Sequence, residues 1–161
     1  MNTKMIQALN EQINNELYSA YLYLAMSADF AAKNLTGFAK WMRLQANEEV
    51  EHAMKFFDYL NERGAKAILA SIKTPKATWK SPLEAFTDAY KHEQKVTTMI
   101  NNLVELATKL KDHATYSFLQ WYVDEQVEEE AQTNEIVEKL KLVKDQICGM
   151  MFLDKELGSR G

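Results

Sequence analysis

Four long stretches of this chain repeat apolar residues at steps of three and four, and each is interrupted by glutamate at a position where that periodicity demands core. The first stripe is Ile6, Leu9, Ile13, Leu17, Ala20, Leu24 and Ala28, with Glu16 between Ile13 and Ala20. It predicts a helix from about Lys4 to Lys33, capped by Thr3 and followed by a short turn that starts at Lys33-Asn34 and ends at Gly37. The second carries Phe38, Trp41, Met42, Gln45, Glu49, His52, Phe56 and Tyr59, and should stop at Arg63-Gly64, where glycine supplies the usual residue past a helix end. Only five glycines and two prolines occur in 161 residues, so turns are few and elements are long.

Between Ala65 and Ser81 the helical pattern lapses and Pro75 appears, which makes this segment a connection. Extended, it reaches about 55 Å. Helices of this length are near 40 Å, so it can run the full height of a bundle. Ser81-Pro82-Leu83-Glu84 then offers a cap, a first-turn proline and the glutamate of a capping box. The third helix continues through Phe86, Tyr90, Glu93, Val96, Ile100, Leu103 and Ala107 to about Leu110. Asp112 caps a fourth helix through Tyr116, Leu119, Val123, Gln126, Glu129, Thr133, Ile136 and Leu140, ending near Lys144. A short apolar piece from about 146 to 157 carries Ile147, Met150, Met151, Phe152 and Leu153; it is too short to be stable alone and is expected to pack against neighbouring subunits. The expected fold is therefore all-α: one domain over residues 1–161, with a bundle over about 4–144. Two hairpins joined by one long crossover is a ferritin-like arrangement.

Glu49 and His52 lie three apart and face one neighbour, a spacing that suits a single metal ion. ExxH by itself is common on solvated helices. Four glutamates converging on one core are another matter, because each unpaired buried charge costs several kcal/mol unless a countercharge is supplied. Oxygen donors with one imidazole suit iron, manganese or zinc better than copper. The competing readings are a solvated flank, if the helical phase is misjudged, and a metal-free interaction protein, whose core should be apolar throughout.

The formal net charge of −4, with no lysine or arginine block, argues against nucleic acid and anionic membrane as partners. A single cysteine, Cys148, excludes an intrachain disulfide and any CxxC metal site. With neither a signal-like start nor a run of ~20 apolar residues, the expected address is the cytoplasm.

The segments Asn10-Glu11-Gln12 with Glu16-Leu17-Tyr18, Asn47 to His52, Tyr90 to Gln94 and Phe118 to Gln126 resemble, in order, the four helical motifs of the bacterial non-haem ferritins. Asp154-Lys155-Glu156-Leu157 resembles the family's C-terminal end. The resemblance implies iron storage and detoxification: a ferroxidase that oxidises Fe(II) to Fe(III) with O2 or H2O2 and deposits ferric mineral in a homo-oligomeric cage of 24 subunits. It implies that Glu16, Glu49 and His52 hold one iron, that Glu49 bridges to a second completed by Glu93 and Glu129, and that Gln126 lies beside this second iron. A third site corresponds to Glu48, Glu125, Glu128 and the shared Glu129, residues that would otherwise read as a solvated face. Tyr23, two turns after Glu16, becomes a candidate electron donor or hydrogen-bonding neighbour, with core packing as the alternative. Trp121, Met26, Met42 and Met54 read as packing or flank, and His92 and His113 as surface.

Departures from related families narrow the class. Val50 stands where a bacterioferritin has its haem-ligating methionine and Glu129 where it has histidine, so no haem is expected. One cysteine cannot build the rubredoxin-like module of a rubrerythrin. Mini-ferritins place iron between subunits and lack the fifth helix. An oxygen-activating di-iron oxidase is the remaining enzymatic alternative, and it would need a pocket for an organic substrate.

Overall fold

The computed structural model describes all 161 residues, with helices and no strands. They are α1 (Thr3–Ala32), α2 (Thr36–Glu62), α3 (Pro82–Lys109), α4 (His113–Val143) and α5 (Ile147–Gly158).

The helix ends follow local chemistry, with three departures from expectation. Asn2, not Thr3, caps α1: its backbone is extended and its Oδ1 accepts from Lys4 N at 2.9 Å. The first turn closes at Asn34, which adopts φ 61, so Gly37 falls inside α2 rather than at the end of a loop. Asparagine tolerates the left-handed region better than most residues. At α3, Ser81 Oγ accepts from Glu84 N at 3.1 Å as expected, but Glu84 reaches back to Lys80 N instead of Ser81 N, so the box is displaced by one residue. Gly64 at φ 69 ends α2, and Asp112 Oδ1 caps α4 by accepting from Thr115 N at 3.1 Å.

Long-range contacts set the helix directions. Arg63 pairs with Asp112 at 3.2 Å, bringing the end of α2 to the start of α4. Trp79, just before α3, donates its N–H to Asp29 near the end of α1 and accepts from Lys33 Nζ. Helices α1 and α4 therefore run one way and α2 and α3 the other, with residues 65–81 crossing the height of the bundle. This strap has no regular structure, so its backbone groups need other partners. Ile68 N donates to Asn10 Oδ1 at 2.6 Å, and the Asn14 amide donates to Ala70 O and Ser71 O at 3.3 and 3.0 Å.

The apolar core is split in two. One cluster gathers Tyr23, Met26 and Phe30 of α1, Phe38 to Ala46 of α2, Phe86 of α3, Ile136 to Leu140 of α4, and Leu153 and Leu157 of α5. The other gathers Met5 to Ile13, Ala53 to Leu60, Val96 to Ala107, and Leu119 with Tyr122. Between them every long helix contributes buried polar side chains. Burial of rings such as Phe38, Phe56 and Phe86 is worth about 3–5 kcal/mol each against alanine, which is the scale available to offset a polar layer.

Two expectations fail on packing. Ile6 and Leu24 are about five full turns apart, so the α1 stripe holds one phase, and that phase lies at the edge of the core: Ile6 and Leu17 are half-buried, Leu24 is 49 % exposed and Ala28 is exposed, while Ser19, Tyr23, Met26 and Phe30 take the core line. Tyr116 of α4 is likewise exposed.

Helix α5 packs on α2 and α4 of its own chain through Leu153, Leu157 and Asp154. Its Ile147, Met151 and Phe152 point outward. The approach to α2 is so close that a Cβ on Gly37 would fall 1.6 Å from Asp154 O. Asp154 Oδ1 accepts from Phe38 N at 3.0 Å and so caps α2, whose own cap position, Leu35, makes no side-chain bond.

Candidate metal centre

The polar layer between the two clusters is built from all four long helices. Glu16 comes from the middle of α1, Glu49 and His52 from successive turns of α2, Glu93 from α3, and Gln126 and Glu129 from α4, and all six are buried. Helices α2 and α4 face each other with no Cα pair as close as 8 Å. Side chains span that gap, as Gln45 does to Glu129 and Tyr122 to His52 O.

Three groups of donor atoms fall within 4.8 Å of one another: Glu16 with Glu49 and His52, Glu49 with Glu93 and Glu129, and His52 with Glu125 and Glu129. Glu49 belongs to the first two, as a bridge must. Within the first, His52 Nδ1 lies 3.3 Å from Glu49 Oε2; on its other side His52 Nε2 is 3.8 Å from Glu125 Oε1.

Three glutamines steady three of the carboxylates. Gln12 Nε2 donates to Glu16 Oε1 at 2.8 Å, Gln45 Nε2 to Glu129 Oε2 at 2.5 Å, and Gln126 Nε2 to Glu93 Oε2 at 3.1 Å, with further bonds to Glu93 O and Thr97. Tyr23 donates its hydroxyl to Glu93 Oε1 and is fully buried. Tyr122 donates to His52 O at 2.7 Å and fixes the backbone behind the imidazole.

No lysine or arginine pairs with Glu16, Glu49, Glu93 or Glu129. Burial pushes all four carboxyls up. Glu129 rises to about 9, with repulsion from Glu93 and Glu48 adding and the Gln45 amide opposing. Glu93 rises to about 7, held there against the bonds from Tyr23 and Gln126 that lower it. Glu49 goes well above the ordinary range through burial and then the charges of Glu93, Glu16 and Glu129. Glu16 is raised by burial, against the bond from Gln12 and a hydrogen bond shared with Glu49. His52 is lowered by burial in spite of Glu16 nearby, so its contact with Glu49 joins a neutral imidazole to a carboxyl. Burial pushes Tyr23 well above 10, which keeps its proton on the oxygen that faces Glu93.

One buried atom, Glu16 Oε2, has no hydrogen-bond partner. Buried polar groups rarely go unpaired. The donor chemistry around it, carboxylate oxygens and one neutral imidazole nitrogen, suits divalent iron.

The remaining candidates sort differently. Glu125 is half-buried and raised by burial and by Glu128 and Glu48. Glu128 is exposed, and Glu48 is turned to Arg160 Nη2 at 2.9 Å; neither joins a donor group, and the third group uses His52 instead. Trp121 packs its edge on His52, with Lys55 Nζ 4.2 Å above its ring. His113 is exposed, whereas His92 is not a surface residue. It is half-buried, its Nε2 2.7 Å from Ser19 Oγ and its ring edge-on to Tyr23, and burial lowers it to about 4. The sequence placed Gln45 in a helical stripe and Gln12 in a family-like segment but gave neither a role at the site, and it did not point to Arg160. The signal was present for two of them, because Gln12 and Gln45 each lie one turn before a site glutamate in the core register.

Comparisons with known proteins agree over nearly the whole chain. The profile of the ferritin family, a ferritin-like domain, matches residues 6–143. A bacterial non-heme ferritin of Staphylococcus saprophyticus is 42% identical over 160 residues, 99% of this chain and 96% of the relative. One of Bacteroides fragilis is 42% identical over 157 residues, 98% of each. Among solved structures, an open pore ferritin from the hyperthermophilic archaeon Archaeoglobus fulgidus superposes with a TM-score of 0.99 at 53% identity, covering 100% of this chain and 99% of the other. Profile, relatives and superposition converge, and the chain belongs to the ferritin-like family as a member of the bacterial non-haem ferritin kind.

Proposed function

We propose that this protein stores and detoxifies iron, taking two ferrous ions into the polar layer of one chain, oxidising them, and passing the ferric product to a mineral held in a multi-subunit cage. The observation that carries the reading is the deficit of positive charge: four buried carboxyls share one neutral imidazole, no cationic side chain reaches them, and Glu16 Oε2 is unpartnered. Two divalent ions supply what the layer lacks.

Glu16, Glu49 and His52 hold one ion; Glu49, Glu93 and Glu129 hold the other. Gln12, Gln45 and Gln126 keep their partner carboxylates aimed inward. Holding both ions beside a shared carboxylate lets a single oxidant take one electron from each, and this fixed pairing is the protein's contribution to rate. Two electrons and two protons convert O2 to H2O2, or H2O2 to two waters, so the balance closes with either oxidant. Tyr23, hydrogen-bonded to Glu93, is placed to supply a further electron or to hold that carboxylate. A third iron site would use Glu125, Glu128, Glu48 and the shared Glu129, with Glu48 leaving Arg160 and the exposed Glu128 turning inward. Residues 1–161 act as one domain, and 24 copies form the cage in a cytoplasmic compartment. No helix is long and apolar enough to cross a membrane.

The test is anaerobic ferrous titration followed by oxygen, watched for ferric absorbance, with Glu49→Ala and His52→Ala alongside. The wild type should oxidise two ions per chain in a fast phase that both variants lose. Fast oxidation unchanged in both variants would sink the assignment, and a protein of monomer mass in solution would sink storage.

A further inference from the structure

Arg160, just beyond the end of α5, folds back onto α2 and touches three residues on one face of that helix. Its Nη1 donates to Trp41 O at 3.3 Å and to Gln45 Oε1 at 3.1 Å; its Nη2 lies 2.9 Å from Glu48 Oε1; its guanidinium carbon sits 4.6 Å above the Trp41 ring. Gln45 is fully buried, and its other amide atom, Nε2, donates to Glu129 Oε2.

Arginine has donors and no acceptor. The Gln45 amide therefore has one orientation compatible with Arg160, oxygen toward the guanidinium and nitrogen toward Glu129. Without that guanidinium the amide could rotate about its last bond and turn its oxygen to Glu129, losing the N–H bond that aims this side chain. A metal needs the carboxylate ionised and aimed. The same guanidinium keeps Glu48 out of the donor groups.

We propose that Arg160 is a positioning residue for the ion held by Glu49, Glu93 and Glu129, acting through Gln45 to keep Glu129 oriented as a ligand. The idea rests on the di-metal reading above. It makes the piece of chain after α5 part of the metal centre without touching metal.

Charge alone predicts the opposite sign, which makes the test decisive. Removing a cation near the site should tighten cation binding if Arg160 acts by repulsion, and loosen it if Arg160 acts by orientation. Co(II), which accepts the same donors and is not oxidised by air, is titrated calorimetrically into wild type, Arg160→Ala, Arg160→Lys and Gln45→Leu, with Lys139→Ala as a control that removes a nearby charge paired to Glu135 and Glu156. Loss of a residue that orients a ligand typically costs about 10- to 100-fold in metal affinity. Arg160→Ala should weaken one of two binding steps by about that much and leave the other within about twofold, with Arg160→Lys failing to restore it because an ammonium cannot hold Gln45 and Glu48 as a fork. Combining Arg160→Ala with Gln45→Leu should add nothing further. Tighter or unchanged binding in Arg160→Ala, full recovery in Arg160→Lys, or additive losses in the double variant would each overturn the proposal. If wild type itself binds fewer than two Co(II) per chain, the di-metal reading fails instead.

Discussion

Loading the polar layer with ferrous iron should drive protons out of it. In the metal-free chain at pH 7, Glu129 keeps its proton with a midpoint of about 9, Glu93 is near half-titration at about 7, and Glu49, raised well above the ordinary range, shares a hydrogen bond with Glu16. Metal ligands must be ionised, so two ions should expel about one proton from Glu129 and about half of one from Glu93 per chain at pH 7, with Glu49 adding to them. The count should fall by about one as pH rises through the Glu129 midpoint and should grow as pH falls below that of Glu93, where affinity drops with each proton displaced. Calorimetry under argon in two buffers of different ionisation enthalpy measures it, with Zn(II) as a control that cannot be oxidised. Glu129→Gln should take about one proton off the count at pH 7. Release of fewer than about half a proton per chain, or a release that does not fall as pH approaches 9.5, would refute the argument that burial holds these carboxyls neutral.

The same carboxyls give the metal-free protein an inverted acid profile. Glu93 has a folded value above its reference of 4.5, so the neutral form is favoured on folding; its contribution is complete below about 4.5 and is lost as pH rises through about 7, and Glu129 continues the loss through about 9. The Glu93 share is on the order of 3 kcal/mol, but the lowered His92 and His52 work against it below about 6.5, so thermal midpoints of metal-free protein should fall from about pH 6.5 to 9, and Glu129→Gln should flatten that fall. Gly37→Ala puts a methyl into Asp154 O and should detach α5 at a cost of about 1–3 kcal/mol, seen as lower denaturant midpoints and faster hydrogen exchange at Phe38 N. Asn10→Ala with Asn14→Ala should free the strap, costing about 1 kcal/mol per lost bond; proteolysis between 66 and 80 should accelerate while Co(II) stoichiometry stays at two.

Helix existence was legible because apolar periodicity is a local property, and the caps at Ser81 and Asp112 were legible because a short polar side chain before a first turn has one obvious use. The buried glutamates stood out as charges in core register. What escaped notice depends on pairing between distant elements. Asn10 and Asn14 look like solvated residues until the strap lies over them. His92 looked exposed because its neighbours in sequence are charged, yet Ser19 and Tyr23 come from another helix. In α1, the apolar stripe kept its phase but marked the edge of the core, because Ser19 and Tyr23 on the buried line are polar or amphipathic and did not count as apolar steps. The docking of α5 was hidden for a different reason: its partner feature is the lack of a side chain at Gly37, which reads like a turn.

That docking has a consequence for how the chain acquires its structure. Each hairpin can zip from neighbouring segments, but Phe38 and Asp154 are 116 residues apart, a closure that yields nothing until both hairpins stand. Helix α5 is made after α4, so during synthesis the front of α2 waits uncapped, and in the finished molecule α5, held to the bundle by one face, is a unit that can open without melting the four long helices. Folding order and local opening thus share one hinge, the short stretch between Val143 and Ile147.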